Sequence, residues 1–219
     1  GNKLFIKDLK DPKAPLVTIL NDYSSDTSVI DVKGDKLYLF TNLNAPNGKV
    51  VVTDIKTPTP DHWKDLIPET ENVLDVITAG GYILAKYTVA ALTEVKQYDF
   101  TGKFIRDIKL PSIGVAGGFS AKENQKDTYF WFTNTCTPTS IYKLNLESGE
   151  TTQYWKPSIN FNSDEYESKQ VFYTSKDGTK VPMTITYKKT TKLDGTAPTL
   201  LYGYGGFNAI TYPYFGVST

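Results

Sequence analysis

The stretch LLYGYGGFNA, Leu200 to Ala209, combines phenol groups with unusual backbone freedom. Gly203, Gly205 and Gly206 permit positive φ and close backbone approach, and they surround Tyr204. A phenolic hydrogen presented at such a turn can donate to the oxyanion that builds up during acyl transfer. The plain alternative is a tight turn whose tyrosines pack. His62, in TPTPDHWKDLI, is the only histidine. It could act as a general base oriented by Asp61. Adjacent residues on an extended chain point to opposite faces, however, which favours a surface histidine opening a strand. Cys136 is the only cysteine and lies in TNTCTPTS. A nucleophilic thiol needs a base or a cationic neighbour, and the nearby sequence offers neither, so a small residue packed in a loop is the expectation.

Several other chemistries are excluded by count or by motif. One histidine and one cysteine do not build a zinc site with two or more histidines. The sequence contains no Gly-x-Ser-x-Gly elbow and no Gly-rich phosphate loop ending in Lys-Ser/Thr. The glycines of GGYILAK and GVAGGFS fall within strand patterns, where they ease packing. No cofactor and no metal are expected.

The 219 residues carry 24 basic and 24 acidic side chains. This balance gives no support to nucleic-acid binding, which normally shows a basic excess. No apolar run approaches the ~18 residues needed to span a bilayer. No charged-then-apolar leader opens the sequence. Gly1 reads as a scar and Asn2 as a position inside a longer protein. A single thiol fits a reducing compartment, with the cytoplasm expected and the periplasm compatible.

The elements that must position these residues are strands. KLYLFTNLNAPNGKVVVTDI begins at Lys36 and DTYFWFTNTCTPTSIYKLNL at Asp127; each is a strand ending in Phe-Thr-Asn, a polar turn, then a strand. Phe40 and Phe132 are 92 positions apart, twice 46, and a similar unit, GYILAKYTVAALTEVKQYDF, lies between them. A period near 46 with four strands per unit is the pattern of β-propeller blades. Three whole blades are expected, with residues 3–20 the last strands of an earlier one. A β-sandwich is the competing architecture, but it does not account for the regular step. The period breaks after residue 156, which places a domain boundary near 157–165 and divides the chain into 1–160 and 161–219. Beyond it, strands are expected at 168–175 and 180–188 around the hairpin signal Asp177-Gly178. A third is expected at 197–203, whose apolar run TLLYGY reads as a strand buried on both faces.

At this point the sequence resembles the prolyl oligopeptidase family of serine peptidases. The resemblance covers essentially the whole chain and is most specific in FYTSKDGTKVPMTITYKK and LDGTAPTLLYGYGGFN, with Gly-Tyr-Gly-Gly-Phe-Asn at 203–208 close to a family signature. The family's oligopeptidase B branch has Ser-Tyr where this chain has Gly206-Phe207, which favours the proline-specific branch. The resemblance implies a mainly β chain: the last blades of a seven-bladed propeller, then the first strands of an α/β-hydrolase domain. It implies an endopeptidase acting on short peptides on the C-terminal side of proline, with the propeller as a size filter. It assigns Tyr204 the oxyanion hydroxyl and Phe207 the apolar wall for the substrate proline ring. The family's serine, aspartate and histidine lie downstream of this region, so the 219 residues alone are expected to be inactive. Open sheet edges imply self-association of the isolated piece. The rival function is a non-enzymatic propeller module that binds a peptide or a protein.

Overall fold

The computed structural model describes residues 1–207 and 209–216. Alternating apolar and polar residues put the chain into antiparallel strands, because successive side chains on a strand point to opposite faces. β1 (Leu4–Ile6) and β2 (Val17–Leu20) form a two-stranded sheet. The first four-stranded sheet contains β3 (Thr27–Lys33), β4 (Lys36–Thr41), β5 (Lys49–Asp54) and β6 (Lys64–Ile67). The second contains β7 (Val73–Ala79), β8 (Tyr82–Val89), β9 (Leu92–Tyr98) and β10 (Phe104–Asp107). The third contains β11 (Val115–Gly118), β12 (Asp127–Asn134), β13 (Thr137–Asn145) and β14 (Thr151–Trp155). In each, neighbours in sequence are neighbours in the sheet. The three repeats and the preceding remnant therefore appear as the sequence pattern anticipates.

The core lies between successive sheets. Leu37 and Leu39 of β4 meet Ile19 and Val51, with Leu4 and Ile6 of β1 packed against them. Phe40 points the other way, to a cluster of Val50, Ile67, Leu74, Ile83 and Tyr87 that joins the first sheet to the second. On β8 the alternation repeats. Ile83 and Tyr87 face the first sheet, while Leu84 faces the third, among Phe130, Phe132 and Leu144. A sandwich would bury one face of each of two sheets. Here the second sheet is buried on both faces, as stacked blades require. A longer tie crosses the stack: Lys33, at the end of β3, pairs with Glu123 in the β11–β12 connection and lies 4.2 Å from the centroid of the Phe100 ring.

Two glycines expected within strands lie just outside them, Gly80 in the β7–β8 turn and Gly114 ahead of β11, and close packing explains both. Gly80 has φ 56°, and a Cβ there would lie 2.4 Å from the Gln125 carbonyl oxygen, so the third sheet's connection closes directly over this turn. A Cβ on Gly114 would lie 2.6 Å from Cζ of Phe132. That ring is fully buried and meets Tyr142 edge-on, centroids 6.1 Å apart. Phe132→Ala should therefore destabilise the fold by about 3–5 kcal/mol, the usual range for emptying a buried phenylalanine site. Phe172→Ala, at a ring 55% exposed, should stay within about 0.5 kcal/mol. Chemical unfolding of the two variants checks this, and equal losses would contradict the core assignment.

After the third sheet comes a hairpin, β15 (Tyr166–Thr174) and β16 (Lys180–Lys188), paired along its whole length from Tyr166↔Lys188 to Thr174↔Lys180. Gly178 has φ 88°, and Ser175 and Thr179 close the turn by a 2.9 Å backbone hydrogen bond. The Ser175 hydroxyl and the Thr179 N–H hold the Asp177 carboxyl down at about 2. The expected strand at 197–203 is absent. Leu200 and Leu201 are 83% and 81% exposed and make no ladder. A strand buried on both faces exists only where neighbours cover it, and among the described residues β15 and β16 pair only with each other. Of the three strands expected beyond residue 160, two are present, as a lone hairpin.

Candidate functional site

Tyr204 lies in the irregular segment that follows β16. Its carbonyl accepts a 3.3 Å hydrogen bond from the Thr211 hydroxyl, and the Ala209 N–H donates to the Gly206 carbonyl at 3.1 Å. The side chain folds back over its own turn: a Cβ on Gly206 would lie 2.8 Å from the Tyr204 phenol oxygen. Glycine is needed there for close approach. The positive φ expected of the three glycines falls elsewhere. None of them is left-handed, and Phe207 is, at φ 56°. The Tyr204 ring is 54% exposed, and Phe207 is 99% exposed. The structure therefore sets both side chains on one solvent-facing turn, with the phenol outside any apolar interior. Asn208, the last residue of the motif, lies outside the described residues.

The long segment that carries the turn has contacts to the sheets beyond each of its ends. Upstream, the hairpin reaches the ends of two sheets. Gln170 Nε2 donates to the Ala90 carbonyl at 2.7 Å. The Thr135 hydroxyl lies 2.6 Å from that of Thr186 and 2.9 Å from that of Ser168. Downstream, the Phe215 N–H donates to the Thr133 hydroxyl at 3.4 Å. The Phe215 ring meets Phe161 edge-on at 4.9 Å, and Phe161 stacks on Tyr166. A crevice of about 510 Å³ opens beside the hairpin, lined by Leu92, Ile108, Leu110, Ser112, Ile113 and Gln170.

The family model for the prolyl oligopeptidase N-terminal beta-propeller domain matches residues 1–157. The chain belongs to the prolyl oligopeptidase family. It is 48% identical over 217 residues to a prolyl endopeptidase of Elizabethkingia miricola, covering 99% of this chain and 31% of that protein. Against a prolyl endopeptidase of Elizabethkingia meningoseptica it is 49% identical, with the same coverage. Prolyl oligopeptidase B from Galerina marginata, solved bound to a 35mer hydrolysis and macrocyclization substrate, superposes with a TM-score of 0.81 at 30% identity, covering 98% of this chain and 31% of its own. The chain thus spans about a third of the length of the relatives it matches.

In this member of the prolyl oligopeptidase family, His62 and Cys136 lie apart from the Tyr204 turn. Pro60–His62 forms a short 3-10 turn ahead of β6, so the chain there is not extended. That geometry brings His62 Nδ1 to 3.2 Å from Asp61 Oδ2, a pairing the extended reading had discounted. His62 still opens an outer strand and is half exposed. Cys136 is buried in the β12–β13 turn, its N–H bonded to Asn134 Oδ1 at 2.9 Å. Burial pushes its thiol up, the opposite of what a nucleophile needs. The residues that sequence reading missed are Gln170, Thr135 and Thr186. Their partners are 80, 33 and 51 positions away, beyond any local motif. The one local signal was Ala90-Ala91 in a two-residue hairpin turn that favours Asn-Gly.

Proposed function

We propose that this chain is the propeller and catalytic-domain entrance of a serine-type endopeptidase that cuts short peptides after proline. Residues 1–160 act as propeller and 161–219 begin the catalytic domain. In this reading the serine, with its histidine and aspartate, comes from sequence outside these 219 residues. The serine oxygen attacks the proline carbonyl, the histidine takes its proton, and the tetrahedral oxyanion accepts a hydrogen bond from the Tyr204 hydroxyl. The C–N bond then breaks, the histidine protonates the leaving amine, and water releases the acyl group. Phe207 supplies an apolar wall for the proline ring, to which its exposed position leaves it accessible. A single thiol fits a reducing compartment, and the cytoplasm is the proposed location with the periplasm compatible.

The observation that carries the reading is 48% identity to a prolyl endopeptidase across 217 residues, including the Tyr204 turn. The substrate held by the Galerina marginata protein supports a peptide as partner. Tyr129 and Tyr154, 45% and 67% exposed, form an aromatic patch on the outer face of β11–β14, the surface through which the isolated chain would self-associate.

The test uses the longer protein that contains this chain and a ladder of proline-containing peptides. Cleavage on the C-terminal side of proline is expected, falling as the peptide lengthens and absent for a folded protein. Equal cleavage of folded and short substrates would remove the filter. Binding of peptide without cleavage would favour the non-enzymatic module.

A further inference from the structure

The hairpin β15–β16 touches the rest of the molecule in an uneven way. Its outer rings Phe172 and Tyr173 are about half exposed, so apolar burial does little to hold its far end. Its near end is held by polar contacts. Ser168 and Gln170 are two apart on β15 and so share a face. Thr186 is the direct cross-strand partner of Ser168. This one face reaches Ala90 of the second sheet and Thr135 of the third.

The contact with Ala90 is made in an unusual place. Val89 and Leu92 pair across a two-residue turn, and both central residues are left-handed alanines, with φ 49° and 64°. Such turns normally use Asn-Gly, because a Cβ in this region is strained. Strain of this kind persists where surrounding structure over-determines it. Here the turn aims the Ala90 carbonyl at Gln170, and the crevice lined by Leu110, Ser112 and Ile113 lies directly beside that bond.

We propose that this face of the hairpin is a clasp on the ends of the second and third sheets, with Gln170 a positioning residue that anchors the element from which the chain runs on to the Tyr204 turn. The turn is suspended between β16 on one side and Phe215 on the other. Phe215 is itself tied to Thr133, so in this proposal the hairpin fixes the upstream end of the segment that carries Tyr204 and Thr133 the downstream end. The consequence for turnover rests on the peptidase reading above; the clasp itself does not.

Gln170→Glu keeps the shape of the side chain and removes the donor. In the 219-residue chain, hydrogen exchange of the β15 and β16 amides should rise roughly tenfold, about what one lost hydrogen bond yields. The β3–β6 amides should be unchanged. Thr135→Val, which breaks the other attachment, should raise exchange in the same strands. An unchanged hairpin, or a rise across all sheets together, would overturn the clasp. In the longer enzyme, Gln170→Glu should lower kcat with KM little changed, and Gln170→Asn should restore part of the loss. Faster hairpin exchange with unaltered kcat would overturn the positioning role. If the longer protein cleaves no peptide at all, the peptidase reading fails while the exchange result still decides the clasp.

Discussion

A polypeptide of these 219 residues should leave a proline-linked chromogenic peptide intact. In a Ser-His-Asp enzyme, removing the serine or the histidine costs roughly 10⁶-fold in kcat, and the remainder comes from binding and the oxyanion donor. In the proposed reading those groups come from sequence outside these residues, and among the described residues neither the histidine nor the thiol is placed to replace them. The only histidine opens an outer strand of the first sheet, paired with Asp61 rather than with any hydroxyl of the Tyr204 turn. The only thiol is buried and its ionisation is suppressed. The donor role proposed for Tyr204 stabilises charge that a nucleophile must first create. The assay is release of the chromophore by the purified chain against buffer. Turnover that survives repurification and scales with protein concentration would overturn the proposed division of labour.

Tyr204→Phe in the longer enzyme carries the second large effect. Losing one oxyanion donor costs about 3–4 kcal/mol, a fall of roughly 10²–10³ in rate. The fall should appear in kcat, because the hydrogen bond strengthens only as the carbonyl oxygen becomes an anion. A control comes with the same variant. The ring is 54% exposed, so losing its oxygen leaves no buried partner unsatisfied. Stability should therefore change by no more than about 0.5 kcal/mol. A variant with normal unfolding and a large kcat defect identifies a catalytic hydroxyl. A change confined to KM would remove Tyr204 from that role.

Local pattern accounts for most of the strand map. KLYLFTN reads as a strand, and β4 forms there, buried between two clusters. Asp177-Gly178 implies a tight hairpin, and β15 and β16 pair without a slip. The same kind of reading failed at TLLYGY, since an apolar run states only that a strand would be stable if covered. It also failed at Asp61-His62, where Pro60 opens a 3-10 turn and two side chains assigned to opposite faces come together.

The sequence by itself determined that the chain folds as repeated four-stranded units, that its single thiol has no base or cation in the nearby sequence, and that the Tyr204 turn is its most chemically distinctive segment. These properties depend on residue type and on spacings of a few positions, which a linear pattern records. Only the tertiary structure decided where the left-handed residue of that turn falls, that Leu200 and Leu201 stand in water, and that Gln170 meets Ala90. Each depends on which surfaces meet after the sheets stack, and contacts between residues tens of positions apart are set by that stacking rather than by any local periodicity.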